Sequence, residues 1–474
     1  MSAPPPFARR SVLGAAAAVA VLLTVTSTRY GYHRDELYFR MLRPAWGYVD
    51  QPPLVPLVAR LLGDHLLLLR LPATLCAAGS VVVVASLARE LGASERSQAW
   101  AAWAYAGTTA VLDFGHVLLT STVDLLVWPT ITLLVVRAEL RQRPRLWLWA
   151  GAVAGVASYS KLLVGMLLVL IALGLVLAGP RRRLRSPHVL GAGLLAAALA
   201  LPNLVYQATH GWPQLAMGAA LSEHNAGEVR VFMWVFLAIV LGPPLVVVWL
   251  AGLRHLWHRR ELRFLVVAVL GLAVFTFVSG AQPHYPTFLL VVLFAAGVAE
   301  LGDRLQRPFW YALVAVNAAV ALTISLPLLP LGVVGHTPVP AMNQLAADTV
   351  GWPTYAGQVR DAVDSLPPPE RQAAVVVTSN YGEAGAVDRF TDLPVFSAHN
   401  ALYDQARPPE GTTVVVFVGG QLPDAEDLFA GCDVVGRLDN EVDVDNEEQG
   451  QPIAVCRDPR LPWESLWPRL RHLD

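Results

Sequence analysis

Apolar positions in the first two thirds of the chain fall in long blocks, with polar and charged residues gathered between them. Apolar runs near the ~20 residues that cross a bilayer occur at roughly 12–28, 66–88, 97–112, 117–136, 146–160, 162–179, 188–206, 231–253, 264–279, 285–301 and 309–331. They predict a mainly α fold, a polytopic membrane helix bundle of about 11 spans. The runs around 146–179 meet at Ser158-Tyr159-Ser160-Lys161, and Gly242-Pro243-Pro244 interrupts the eighth run. From about residue 336 the pattern changes. GWPTYAGQVRDAVDSL has apolar residues at helical spacing and stops before Pro367-Pro368-Pro369. AAVVVTS and TTVVVFVGG are short β-rich runs, and YGEAGAVDRF between them reads as a helix. Strands alternating with helices predict a small α/β domain. The expected domains are 1–335 and 336–474.

Composition supports a membrane protein: 55% of the 474 residues are hydrophobic and 15% charged, where soluble domains carry about 25% charged residues. A net charge of -1 gives no footprint for nucleic acid. The arginines set the orientation. Arg9 and Arg10 precede the first run. Arg89 and Arg96, then Arg137, Arg141, Arg143 and Arg145, then Arg181, Arg182, Arg183 and Arg185 mark alternate connections, followed by Arg254, Arg259, Arg260 and Arg263 and by Arg304 and Arg307. This predicts a cytoplasmic N-terminus and, with an odd number of spans, an extracytoplasmic C-terminal domain. The expected location is a cell membrane, with the lipid bilayer as partner. Arg9 and Arg10 before an apolar stretch resemble a secretory signal, but with no clear cleavage site the stretch reads as an uncleaved first helix. Cys432 and Cys456 lie in the polar C-terminal region, where an oxidising compartment favours one disulfide between them; two buried thiols are the alternative.

The predicted topology collects the other ionisable residues on the outer face. The stretch at 30–57, YGYHRDELYFRMLRPAWGYVDQPPLVPL, holds His33, Arg34, Asp35, Glu36, Asp50 and Gln51. Adjacent carboxylates do not share a helix face, so one of Asp35 and Glu36 is free to act as a general base while the other holds the loop. Alternatively, both stabilise the start of the next helix. Asp50 before Pro52-Pro53 reads either as a helix cap or as a group aimed by a rigid turn. Asp113 and His116 fall in a tight outer turn, and His284 and Tyr285 in the last outer loop. Asp124 lies about two turns inside a span, and nothing in VDLLVW offers it a local partner; intramembrane acids are candidate functional groups. Lys161, the only lysine, suits a phosphate or else snorkels to the headgroups. The acidic run at 439–448, DNEVDVDNEE, lacks the spacing of a calcium loop and reads as solvated. His399 and Asn400 lie on an α/β loop and are further binding candidates. There is no nucleotide-binding glycine loop, nucleophile elbow or zinc motif. No metal ligands and no cofactor are expected, with a divalent cation left open.

HRDELYF, PAWGYVDQPPL, TSTVDLLVW, PNLVYQATHGWPQL and SNYGEAGAVDRF together resemble the GT-C glycosyltransferases. More narrowly, the chain is similar to glycosyltransferase family 39, which includes protein O-mannosyltransferases and lipid A aminoarabinose transferases. The resemblance implies an enzyme that takes a sugar from a polyprenyl-phosphate donor and passes it, with inversion, to the hydroxyl of a glycan, lipid or protein acceptor. It implies Asp35 as base, Glu36 as its support, Asp124 as the second acid, and Asp50 and Gln51 toward the lipid phosphate. The aminoarabinose transferases place a lysine where Gln51 stands, so the counter-charge is expected from Lys161 or Arg34. A transporter with binding groups at broken helices and a membrane-anchored binding or assembly protein are the readings from other classes.

Overall fold

The computed structural model describes residues 4–473, with the backbone alone at 224 and 225. It is mostly helical, with a small sheet near the C-terminus. The chain divides into two compact units. One holds the chain up to Ser27, Gln51–Leu54 and Arg70–Leu326; the other holds Thr28–Asp50, Val55–Leu69 and the described chain from Pro327 onward. Most of the 30–57 stretch thus belongs with the second unit. The helices that position the candidate residues are α1 (Arg34–Met41), α2 (Thr109–His116), α3 (Thr120–Leu140), α4 (Val246–His258), α5 (Thr287–Leu301), α6 (Trp352–Asp364) and α7 (Tyr381–Phe390).

In the first unit, four helices among the described residues are long and apolar enough to cross a membrane: Arg9–Thr26, Leu66–Glu90, Pro187–Thr209 and Pro308–Ser325. A bent pair, Pro213–Glu223 with Ala226–Leu241, makes a fifth if it counts as one span. The remaining apolar runs are shorter or broken helices, so about eleven spans are not reached on this criterion. The breaks have local causes. The run at 97–112 stops at Ala106, because Gly107 caps the helix and Thr108 is extended (φ -91°, ψ 149°) before α2 begins. The run at 231–253 breaks at Gly242 (φ 96°), and the prolines after it have no N–H to continue the helix. Helices meet where side chains are small, as membrane packing requires. A Cβ on Gly252 of α4 would lie 1.8 Å from the Leu293 carbonyl oxygen of α5, and one on Gly297 of α5 would lie 1.7 Å from that of Val248.

The second unit carries a five-stranded sheet in the order β2-β1-β3-β5-β4. Its strands are β1 (Val375–Thr378), β2 (Val395–Ser397), β3 (Val414–Val418), β4 (Phe429–Arg437) and β5 (Pro452–Pro459). The first three are parallel; β5 is antiparallel to both its neighbours. Val414–Val418 is buried throughout, as a central strand covered on both faces must be. Cys432 and Cys456 stand opposite each other on β4 and β5 and form a disulfide. α1 lies against α7 at Gly385, where a Cβ would come within 2.6 Å of the Leu37 Cβ.

That contact yields a stability prediction. Gly385→Val overpacks α1 against α7 and is expected to destabilise the second unit by about 1–3 kcal/mol. Gly357→Ala in α6, whose added Cβ meets nothing within 4 Å, is expected to leave the midpoint unchanged or slightly raised. Thermal unfolding in detergent with matched lipid checks both.

Candidate active site

In the second unit the candidate residues are built around the first turn of α1. His33 is the N-cap: its Nδ1 accepts from the Asp35 N–H at 3.1 Å, and its own N–H donates to Glu36 Oε2 at 2.8 Å. This is a reciprocal capping box, which satisfies donors that the first turn leaves open. Glu36 is fully buried in that role. Asp35, one position earlier, turns the other way and accepts from the Tyr381 hydroxyl of α7 at 3.0 Å. The two acids thus divide as the sequence suggested they might, one capping and one directed elsewhere.

The Tyr381 ring is held tightly. It stacks on Tyr38 with centroids 4.6 Å apart and on His399 at 4.8 Å, and the Arg34 guanidinium lies 4.9 Å from its centroid. His399 is fully buried; its Nδ1 accepts from the Tyr381 N–H at 3.1 Å and its ring stacks on His472. It is a structural histidine. The Tyr38 hydroxyl takes a bond from the Ala401 N–H at 3.2 Å and bonds Asp50. Asp50 is thus tied to Tyr38 of α1. The first N–H of the following helix Leu54–Leu62 goes to the Tyr159 carbonyl at 2.8 Å.

Arg34 pairs with Glu447 and approaches Glu448 at 3.9 Å. The run at 439–448 is a loop solvated on one side: Asp439, Glu441, Asp443, Asp445 and Glu447 are exposed, while Asn440, Val444, Asn446 and Glu448 are buried. Asn440 donates to the Tyr355 hydroxyl and the Val444 carbonyl, and Asn380 donates to Glu448 at 3.1 Å. Asn446 donates to the Val350 carbonyl at 3.1 Å and accepts from the Tyr355 hydroxyl at 2.8 Å. Among the described residues no cluster of three or more metal-ligating side chains occurs. Asp348 sits 3.9 Å from His33 Nε2. Burial pushes its carboxyl up to about 7, against the pull of Arg34. Burial also raises Glu448 and, strongly, Glu383 of α7.

The first unit holds the other candidates. Lys161 Nζ donates to Ser121 Oγ at 2.9 Å and lies 4.3 Å from the Tyr285 ring centroid. Ser121 also bonds His284 Nε2 at 2.9 Å. His284 packs between Phe114 of α2 and Phe288 of α5. The lysine is thus a fixed charge over an aromatic face, not a snorkelling side chain. Ser121, which sequence reasoning passed over, joins the two; its only signal was its place one turn before Asp124 on α3. Asp124 is buried, and Trp128 donates its Nε1–H to Oδ1 at 3.0 Å. This corrects the expectation that VDLLVW offers no partner: Trp128 is the i+4 residue on the same helix. Lys161 also acts electrostatically on Asp124. Asp124 Oδ2 and Gln51 Nε2 are buried with no hydrogen-bond partner among the described residues, and such atoms mark places where a ligand or water bonds. Asp113 and His116 lie on α2 rather than in a turn; both are buried, and His116 Nε2 is 3.2 Å from the Thr26 carbonyl.

Residues 50–206 match the family model described as dolichyl-phosphate-mannose-protein mannosyltransferase. A crystal structure of ArnT from Cupriavidus metallidurans in the apo state aligns over 93% of this chain and 97% of its own, with TM-score 0.59 and 14% identity. The same protein bound to undecaprenyl phosphate aligns over the same shares with TM-score 0.57 and 14% identity. The chain has the GT-C fold. A search of curated proteins gave no match. The family-model match spans Asp50, Gln51, Asp113, His116, Asp124 and Lys161, whereas Asp35 and Glu36 lie before it.

The raised carboxyl of Asp348 has a pH consequence. An acid whose folded value exceeds its unfolded 3.8 costs stability as pH rises toward about 7. Below 3.8 it is protonated in both states and contributes no difference. Asp348→Asn removes that loss, so its melting point relative to the wild type is expected to climb between about pH 4 and about pH 7. A difference that stays flat over that range would refute the assignment.

Proposed function

We propose that the protein is a membrane glycosyltransferase that moves a sugar from a polyprenyl-phosphate donor to an acceptor hydroxyl. The observation that carries this reading is the family match over 50–206, which includes the fixed lysine Lys161 together with Gln51 and Asp124. The fold of ArnT, whose bound form holds undecaprenyl phosphate, agrees with a lipid-linked donor. In this reading Asp35 is the base. The acceptor oxygen bonds to the anomeric carbon as its proton passes to Asp35, and the carbon–oxygen bond to the phosphate breaks with its electron pair leaving on the polyprenyl phosphate. One displacement inverts the anomeric centre.

The growing charge on the phosphate falls to Lys161, a point charge already oriented by Ser121 and Tyr285. Gln51 adds a neutral donor from its unpartnered amide. Arg34 is less suited to that charge, since Glu447 and Glu448 already answer it. Asp124 is the second acid, held by Trp128. We propose further that the N-terminus is cytoplasmic, that the second unit is extracytoplasmic, and that transfer occurs on that outer side of a bacterial plasma membrane. The sugar and the acceptor are left to experiment.

The test uses membranes carrying the full chain and a panel of polyprenyl-phosphate sugars labelled in mannose, glucose, galactose or 4-aminoarabinose. One label is expected to move to a membrane or wall acceptor. Asp35→Asn is expected to lower that transfer by about 10²–10⁴-fold, and Lys161→Gln by about 10²–10³-fold. Full transfer by the Asp35 variant would remove it as base. Uptake of a substrate into proteoliposomes with no transfer of any label would replace the whole reading with a transporter.

A further inference from the structure

Asp35 and Tyr381 are separated by most of the chain, yet they share a hydrogen bond of 3.0 Å within one compact unit. The hydroxyl is the donor, because an ionised carboxylate only accepts. The ring that carries it has little freedom. Tyr38 and His399 stack on it, the Arg34 guanidinium lies at its centroid, and its own N–H is fixed to His399 Nδ1. Its position at the start of α7 is set by Asn380, whose side chain caps the helix through the Glu383 N–H at 2.9 Å while Glu383 reaches back to the Asn380 N–H at 3.0 Å. The helix that presents Asp35 is capped in the same way by His33 and Glu36. Two short helices, each locked by its own capping box and pressed together at Gly385, bring one acceptor to one donor. Rigid stacking of this extent around a single hydroxyl is more than packing α1 onto α7 requires.

We infer that Tyr381 is a positioning residue for Asp35 in the transfer reaction, and that the C-terminal α/β unit contributes to catalysis through it. The inference rests on the reading of Asp35 as base. Tyr381 touches neither donor nor acceptor in this account. Its hydroxyl fixes the rotamer of the carboxylate on Oδ1 and stabilises the ionised form, so that the base is aimed and charged before the acceptor hydroxyl arrives. No bond to Tyr381 forms or breaks, and its proton stays on the phenol.

Tyr381→Phe removes the hydroxyl and keeps the ring, so the stacking on Tyr38 and His399 and the contact with Arg34 survive. The measurement is transfer, in membranes of the full chain, of whichever labelled polyprenyl-phosphate sugar the wild type consumes in the panel above. A hydrogen bond to a charged group is worth about 10–100-fold when lost. The turnover number is expected to fall by about that factor, with KM for the donor within about twofold and the melting point close to wild type. The acid limb of the pH–rate profile is expected to move to higher pH, since a carboxylate that loses a donor is protonated more readily. In an Asp35→Asn background the same substitution is expected to add almost nothing. Wild-type turnover and an unmoved pH profile in Tyr381→Phe, with Asp35→Asn inactive, would overturn the positioning role and leave the base intact. An active Asp35→Asn would overturn both. A Phe variant whose loss is independent of pH and fully additive with Asp35→Asn would make Tyr381 structural and overturn the inference.

Discussion

A charge removed from water must find an opposite charge or a set of hydrogen bonds, and in a helical membrane fold the backbone has little left to offer because its groups already bond each other. That constraint organises both units. In the first, Arg137 and Arg141 converge on the buried Glu90, while Arg183 and Trp147 converge on the buried Glu139. Lys161 rests on Ser121 and the Tyr285 face. In the second, Arg34 is answered by Glu447 and Glu448. The result is a set of pre-oriented side chains, which is what a site that stabilises developing charge requires.

Much of the architecture could be read from the chain because long apolar blocks are a crude, additive signal. The helical bulk, the small terminal α/β region, α7 and two of its strands followed from pattern alone. The span count did not. The interruption at Gly242-Pro243-Pro244 was legible, but apolar composition cannot distinguish one long helix from two short ones joined at Gly107-Thr108, since it is blind to the single dihedral that ends a helix. The strands at 395–397, 429–437 and 452–459 were missed for a related reason. The first is three residues long, and Phe429–Arg437 exposes both faces and has no alternation to detect.

The candidate site was legible as a set of residue types and much less so as a set of partners. Asp35 and Glu36 were separable in principle, and the bland reading of one of them, helix capping, is what Glu36 does. The pairing of Asp35 with Tyr381 could not be seen, because a contact across 346 positions leaves no local trace. Asp124 with Trp128 could have been seen, since i,i+4 spacing is a local rule; attention to charge alone hid an indole donor. In the acidic run, counting charges found the exposed acids, and the alternation with Asn440, Val444 and Asn446 was the signal of its buried side.

The capping box of α1 has a consequence for sequence drift in this region. Neighbouring positions on a helix differ by about 100°, so the phase set by His33 decides which acid faces Tyr381 and which folds back onto the N-cap. Two residues of nearly the same chemistry are thereby given incompatible jobs by geometry. One residue inserted between His33 and Asp35 would put Asp35 at the capping position and turn Glu36 about 100° further round, and one removed would bring Glu36 to face Tyr381 with no acid left to close the box, while composition, charge and hydropathy stay almost untouched. Spacing from the cap, more than the presence of an Asp-Glu pair, is therefore the feature that distinguishes a working copy of this loop from a look-alike.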